Sequence, residues 1–158
     1  MTIPNVIKIM DLQVATLCDS ATDYNGKLCV LGTFDTICAP QFPVIHSQCA
    51  LALRLCFRSE DEGVREFKIQ IIDADGNTVV AIPPQNPENP GESAAIRVDV
   101  KLPQDAYFLS RNLVFNLFRL KFDTPGQYSI DISMDGRVQT QIPMRVMQIE
   151  QRQQTSQP

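Results

Sequence analysis

The chain has a single histidine, His46, and few of the other groupings that catalysis recruits. A serine triad needs a base held by a buried carboxylate, together with an oxyanion hole. Here the one imidazole lies between Pro43 and a strand-like run, and no Gly-x-Ser-x-Gly elbow occurs. The pair His46–Ser47 therefore reads as a surface or strand-edge imidazole beside a serine. The five cysteines, Cys18, Cys29, Cys38, Cys49 and Cys56, include no CxxC pair. A zinc site would want clustered thiolates or a histidine at ligand spacing, and His46 has only Cys49 near it. A reactive thiol would want an electropositive, accessible setting, so Cys38 or Cys49 paired with His46 is not read as a nucleophile. Each cysteine stands in or beside an apolar run, as buried free thiols acting as small hydrophobes do. An inter-strand disulfide would need an oxidising compartment, which nothing in the sequence suggests. The seven glycines are scattered, each at a turn or bulge, and build no phosphate loop. No cofactor and no metal are expected.

A basic run is also missing. Fourteen Lys and Arg face eighteen Asp and Glu, a formal net charge of -4. Phosphate backbones are gripped by clustered cations, so a nucleic-acid partner is not expected, and anionic membrane surfaces are disfavoured for the same reason. No apolar run approaches the roughly 20 residues that cross a bilayer. The opening MTIPNVIKIMDL is broken by Pro4, Asn5 and Lys8, with no cationic segment before an apolar one, so it does not read as a signal peptide. A cytoplasmic address is expected.

No segment longer than a turn or two has a helical period, and no internal repeat is apparent. What is present is strand. With 158 residues, 44% of them hydrophobic and 20% charged, one domain with a real core is expected. The clearest stretch is Asn25–Phe57, NGKLCVLGTFDTICAPQFPVIHSQCALALRLCF. Before it, Leu12–Cys18 reads as a strand with Leu12, Val14, Thr16 and Cys18 on one face, and residues 19–25 are polar. Asn25-Gly26 signals a hairpin, because a type I′ turn needs positive φ at both central residues. Lys27–Cys38 then reads as one strand, apolar on both faces, with Gly32 marking a bulge or close contact. Leu28, Val30 and Phe34 take one face, and Cys29, Leu31 and Ile37 the other.

Pro40 and Pro43 end that strand and predict a crossing between sheets. Gln48–Arg58 alternates, with Cys49, Leu51, Leu53, Leu55 and Phe57 inward and Arg54 and Arg58 outward. Residues 59–63 form an acidic turn. Phe67, Ile69 and Ile71 carry the next strand, and Asp75-Gly76 turns it into Thr78–Ile82. Residues 83–93, PPQNPENPGES, read as a solvated connector, with a binding loop as the functional alternative. Ile96, Val98, Val100 and Leu102 alternate with charges, and residues 103–111 have room for a short helical turn. Leu113–Phe122 changes its facing near Asn116, as a bulge would cause. Pro125-Gly126 followed by Tyr128, Ile130, Ile132 and Met134 has the order of a tyrosine corner. Asp135-Gly136 turns into a last strand with Val138, Ile142, Met144 and Val146 inward. Residues 1–149 are expected to form one domain and 150–158 a frayed polar tail. The fold expected is an all-β, immunoglobulin-like Greek-key sandwich of about eight or nine antiparallel strands.

Two acidic groupings invite a chemical reading. Asp73-Ala74-Asp75-Gly76-Asn77 begins like a calcium loop, but its glycine falls fourth and Pro84 stands where the closing glutamate belongs. A hairpin tip explains it. Should sandwich-end loops converge on calcium, Asp19, Asp23, Asp73 and Asp75 are the carboxylates to use. Glu60, Asp61 and Glu62 are adjacent and read as a solvated turn.

The segments LCDSATDYNGKLCVLGTFDTICAPQFPVIHSQCALALRL, LVFNLFRLKFDTPGQYSIDISMDG and IPMRV together resemble a family of small uncharacterised bacterial proteins. The resemblance spans most of residues 12–147. It implies a sandwich in a bacterial, non-secreted setting and brings no functional residues with it. The functional expectation is a non-catalytic module that works through a protein partner or as a homo-oligomer. Cys29, Leu31 and Ile37 are its candidate interface. The alternatives are a calcium- or carbohydrate-binding sandwich using end loops and, behind that, a hydrolase.

Overall fold

Alternating apolar residues build two sheets, which hold ten strands among the described residues. A computed structural model describes residues 10–84, 88–89 and 95–151. The strands are β1 (Asp11–Tyr24), β2 (Lys27–Thr33), β3 (Thr36–Ala39), β4 (Val44–Phe57), β5 (Gly63–Asp73), β6 (Thr78–Ile82), β7 (Ile96–Val100), β8 (Leu109–Phe122), β9 (Gly126–Met134) and β10 (Arg137–Gln148). One sheet has the order β2-β1-β4-β8. The other runs β3-β10-β9-β5-β6, with β7 also paired to β5. β6 takes Ile69–Ile72 of β5 and β7 takes Gly63–Phe67, so the two share one edge of that strand.

The core lies between the sheets. Leu17, Leu51, Leu53, Leu55, Phe57, Leu117 and Phe122 come from the smaller sheet. Phe67, Ile69, Ile71, Ile130, Ile132, Met134, Met144 and Val146 come from the larger. Each such side chain taken from water contributes about 1.5–3 kcal/mol before the entropy of ordering is charged against it. The tyrosine corner forms as its sequence order suggests: Tyr128 Oη donates to the Thr124 carbonyl at 2.7 Å, and its ring meets Phe122 edge-on at 5.0 Å.

Several expectations are corrected. Lys27–Cys38 is not one strand. The chain leaves the smaller sheet at Thr33 and enters the larger one at Thr36, where β3 pairs parallel to β10. This switch raises the strand count to ten and makes one pairing parallel rather than antiparallel. The first strand does not end at Cys18: the polar residues 19–24 continue β1, because β2 pairs with them through Ser20↔Leu31 to Tyr24↔Lys27. A register shift between Leu12 and Val14 also inverts the facing of β1. Leu17 meets the core with Ala15 packed on it, while Cys18 lies on the opposite face. Residues 103–108 hold a turn closed by Ala106 N to Pro103 O, with Asp105 at φ 63°, rather than a helix. Val138 is exposed, displaced by a second register shift between Val138 and Thr140. The facing of β8 reverses later than Asn116. Leu117, Leu120 and Phe122 are all buried, and the irregularity falls at Arg119, with φ 54°. Most of the proline-rich stretch 83–93 and the tail beyond Gln151 lie outside the described residues.

Candidate interaction surfaces and an enclosed imidazole

The outer face of β4 is where the sequence reading and the structure part most. On its core side stand Leu51, Leu53 and Leu55, and on its other side Ala50, Ala52 and Arg54. The alanines are fully buried. What covers them is the far half of the β1–β2 hairpin. Cys18 of β1 pairs with Ala50, and a straight β1 would run on toward Val44, away from Arg54. Seven more residues would carry its tip about 23 Å in that direction at the usual strand rise. Instead the tip touches Arg54: its Nη1 donates to the Gly26 carbonyl at 3.0 Å. Asn112 Nδ2, beside Arg54 on β8, donates to Asp23 Oδ2 at 2.7 Å. The hairpin has doubled back over the sheet.

Local sequence makes that fold-back possible. Gly32 adopts φ 68°, a region L-residues avoid, and a Cβ there would sit 2.5 Å from Asp19 Oδ2. The bend is therefore reserved for glycine. Beneath the hairpin, Cys18, Ala50 and Ala52 form a second small core with Ala21, Leu28, Val30 and Val114 packed around it. Small side chains on β4 let the hairpin approach closely, and its medium-sized apolar residues fill the gap. Arg54 clamps the tip. Besides Gly26 it donates to Asn112 Oδ1 at 2.7 Å and to Gln13 Oε1 at 3.2 Å. The Asn112 amide, followed by the Gly26 N–H, holds the Asp23 carboxyl below its ordinary value against an opposing desolvation, with the Arg54 charge the least of the contributions.

The hairpin's other face turns away from the sheet. By strand alternation it carries Ser20, Thr22, Tyr24, Cys29 and Leu31. Leu31 is 71% exposed and Tyr24 63%. Two of the three expected interface residues, Cys29 and Leu31, thus share one solvent-facing patch. The third does not join them. Ile37 belongs to β3 in the other sheet and is 5% exposed within the main core. It was separated by the sheet switch at Phe34–Asp35, which restarts the alternation.

His46 lies in a different place. It shares a cleft of about 210 Å³ with Asp19, Phe34, Thr36, Ile37 and Cys38. Its ring packs on Phe34 with centroids 5.6 Å apart, and its Nε2 is enclosed without a hydrogen-bond partner among the described residues. The structure does bring Cys38 and His46 to one cleft, a neighbourhood set by the β3–β4 crossing and invisible to residue spacing. Cys49 stands apart from that chemistry: burial, then the neighbouring Cys18 and Asp19, push its thiol up to about 11, so it stays protonated at neutral pH. All five cysteines are free thiols, Cys18, Cys49 and Cys56 buried and Cys29 and Cys38 exposed.

The carboxylates considered for calcium do not gather. Asp19 and Asp23 belong to the β1–β2 hairpin, and Asp73 and Asp75 to the β5–β6 turn in the other sheet. Asp73 is engaged in that turn, with Oδ1 accepting from the Asn77 N–H at 2.8 Å and the Asp75 N–H at 3.0 Å. These bonds, led by the one from Asn77, outweigh desolvation and hold its carboxyl below the ordinary value. Among the described residues no three His, Cys, Asp or Glu side chains stand together in a way that could hold a metal. Asp61 is buried and accepts the Arg58 N–H at 2.8 Å, capping the short turn Ser59–Asp61 rather than lying solvated.

One further surface escaped the sequence reading. β8 ends the smaller sheet, and among the described residues it pairs only with β4. Phe118 on it is 63% exposed, and Tyr107 and Phe108 just before it are exposed and in edge-on contact. Arg119 holds a left-handed backbone conformation, which costs an L-residue roughly 1–2 kcal/mol. The signal was available in part, since β8 carries Arg111, Arg119 and Lys121 and no acidic residue. That the strand would lie at an edge was not.

Comparison with known proteins adds a family and little more. No curated protein matches the sequence. Among solved structures, the Pseudomonas fluorescens alkylpurine DNA glycosylase AlkC bound to DNA containing an abasic site analog is similar over 87% of this chain and 30% of its own, at 9% identity and a TM-score of 0.46. A glycosyl hydrolase family 2 member from Bacteroides cellulosilyticus is similar over 87% of this chain and 15% of its own, at 7% identity and a TM-score of 0.34. The chain spans less than a third of either protein. A family model matches residues 13–147, from the first strand through the last, and the chain belongs to that family, a family of unknown function (DUF6941).

Proposed function

We propose that this protein is a non-catalytic interaction module that acts through a protein partner or a second copy of itself, with the outer face of the β1–β2 hairpin as a contact surface. The observation that carries the reading is the hairpin's two-sidedness. Leu28 and Val30 are packed onto the sheet, while Leu31 and Tyr24 stand 71% and 63% exposed with Cys29 on the same side. Exposed apolar side chains grouped on one strand face favour association. The tyrosine corner at Tyr128 supports an immunoglobulin-like reading of the sandwich. The five free thiols accord with a reducing, cytoplasmic setting, and a bacterial one belongs to the same proposal. Light scattering on the purified chain and affinity capture from a bacterial lysate test the reading together. We expect either a dimer or a partner whose capture is lost in Leu31→Glu. A strict monomer that retains nothing would refute it.

A second reading, small-ligand binding, rests on the cleft that His46 shares with Asp19, Phe34, Thr36 and Cys38, which sets polar groups beside an aromatic ring. Calorimetry against a glycan panel with and without calcium tests it, and the absence of heat in every titration removes it.

A further inference from the structure

We propose that the edge of β8 that no described strand covers receives an acidic, extended segment of a partner protein as an added strand. The inference rests on the reading that the protein works through a partner, but not on the hairpin face.

The edge is long. β8 has fourteen residues, Leu109–Phe122, and one of its two rows of backbone N–H and C=O groups is met by β4. No described strand meets the other row. An unpaired row of that length is a template for a further strand, whose main-chain hydrogen bonds supply affinity and whose side chains supply selectivity.

The charge on the edge says what kind of strand fits. Three of the chain's fourteen cationic residues lie on β8, and none of its eighteen acids. Arg111 and Arg119 are exposed, and their side chains make no ion pair or hydrogen bond with a described residue. Lys121 reaches the exposed Asp123, at 3.6 Å. On a protein of net charge -4, Arg119 and Lys121 form a local cationic pair on this edge, whereas Arg111, across from Leu55, lies on the core-side face before the reversal at Arg119. Arg119 holds its place in a left-handed conformation with no partner among those residues to reward it, next to the exposed Phe118. Strain kept at an exposed, uncommitted cation is the pattern of a recognition position.

A second copy of this chain fits poorly. Antiparallel pairing of β8 with itself centred on Phe115 sets Arg111 across from Arg119, and centring on Leu120 sets Arg119 across from Lys121. Like charges directly opposite destabilise a strand pair. A partner strand with acidic residues at alternate positions, facing Arg119 and Lys121, converts both into favourable cross-strand pairs.

The test uses the full chain and fluorescent twelve-residue peptides. One alternates Glu with Val, a second alternates Lys with Val, and a third is the Glu peptide with every second amide N-methylated. We expect the Glu peptide to bind and to protect β8 amides from hydrogen exchange. The Lys peptide and the N-methylated peptide should bind at least tenfold more weakly. Raising salt from 50 to 500 mM should weaken the Glu peptide about tenfold, as screening of exposed charges requires. Arg119→Glu should lose the interaction, and Lys121→Gln, which leaves the left-handed position untouched, should weaken it several-fold. Equal binding of the three peptides, or none up to millimolar concentration, overturns the proposal. So does preferential binding of single-stranded RNA to the same edge, or a dimer lost in Arg119→Glu. Leu31→Glu should leave peptide binding unchanged, so failure at β8 and failure of the hairpin surface are told apart.

Discussion

Arg54 is the residue on which the folded-back hairpin should depend, and its replacement by methionine isolates the guanidinium while keeping an apolar stem. Three hydrogen bonds are lost: Nη1 to Gly26 O at 3.0 Å, Nη1 to Asn112 Oδ1 at 2.7 Å and Nε to Gln13 Oε1 at 3.2 Å. A hydrogen bond to a charged group can contribute about 1.5–3 kcal/mol, but these are partly exposed, so about 1 kcal/mol each is the better figure. Only the Gly26 bond and the shared Asn112 contact hold the hairpin directly. The cost of lifting it should therefore fall by about 2 kcal/mol, a roughly 30-fold rise in the open population. Cys18 reports that opening, because it is 0% exposed beneath the hairpin and bonds to the Ala50 carbonyl. With Cys29 and Cys38 changed to serine, alkylation followed by peptide mass spectrometry reads Cys18 separately from Cys49 and Cys56. Arg54→Met should speed Cys18 labelling about 30-fold and leave Cys49, in the main core, nearly unchanged. If Cys18 and Cys49 label at one common rate in both proteins, the hairpin does not open locally and the clamp reasoning fails.

Other outcomes follow from the same geometry. Ala52→Leu should destabilise the fold by about 1–3 kcal/mol in urea titration, since there is no room under the hairpin for a larger side chain. Ile37→Ala should cost about 2–4 kcal/mol by the same assay, as expected for a core residue, whereas Leu31→Ala should stay within about 0.5 kcal/mol. Tyr128→Phe removes one hydrogen bond to Thr124 and should cost about 1 kcal/mol. Acid should weaken the fold in a defined window. Burial pulls Asp135 upward, yet hydrogen bonds from the Glu66 N–H and Arg65, with the Arg65 charge, outweigh it and hold its carboxyl below the ordinary 3.8. A depressed folded-state pKa contributes stability that is complete above the unfolded value and is lost as pH falls through the folded one. Stability measured by urea titration should thus drop as pH falls below about 4, and Asp135→Asn should flatten that drop. An unchanged slope would refute the role given to Asp135.

The all-β class, the hairpin turns at Asn25-Gly26 and Asp135-Gly136, the alternating core residues of β4, β5 and β9, and the tyrosine corner were all legible in the sequence. These features are local. A strand's period of two and a turn's need for positive φ act over a few residues, so a linear reading reaches them. The facing of β1, the division of Lys27–Cys38 between two sheets and the burial of Ala50 and Ala52 were not. Each depends on what lies across the fold: a register shift against β4, a sheet to receive Thr36, a hairpin arriving from above.

The candidate sites divide along the same line. That Cys29 and Leu31 alternate away from Leu28 and Val30 is a property of the strand, and the sequence by itself determined it. Which of those faces meets water, whether Ile37 stays with them, and which strand is left at the edge were decided only by tertiary structure. Burial is a relation between segments distant in the chain, and β8 became an edge because β1 and β4 took the interior places of the sheet.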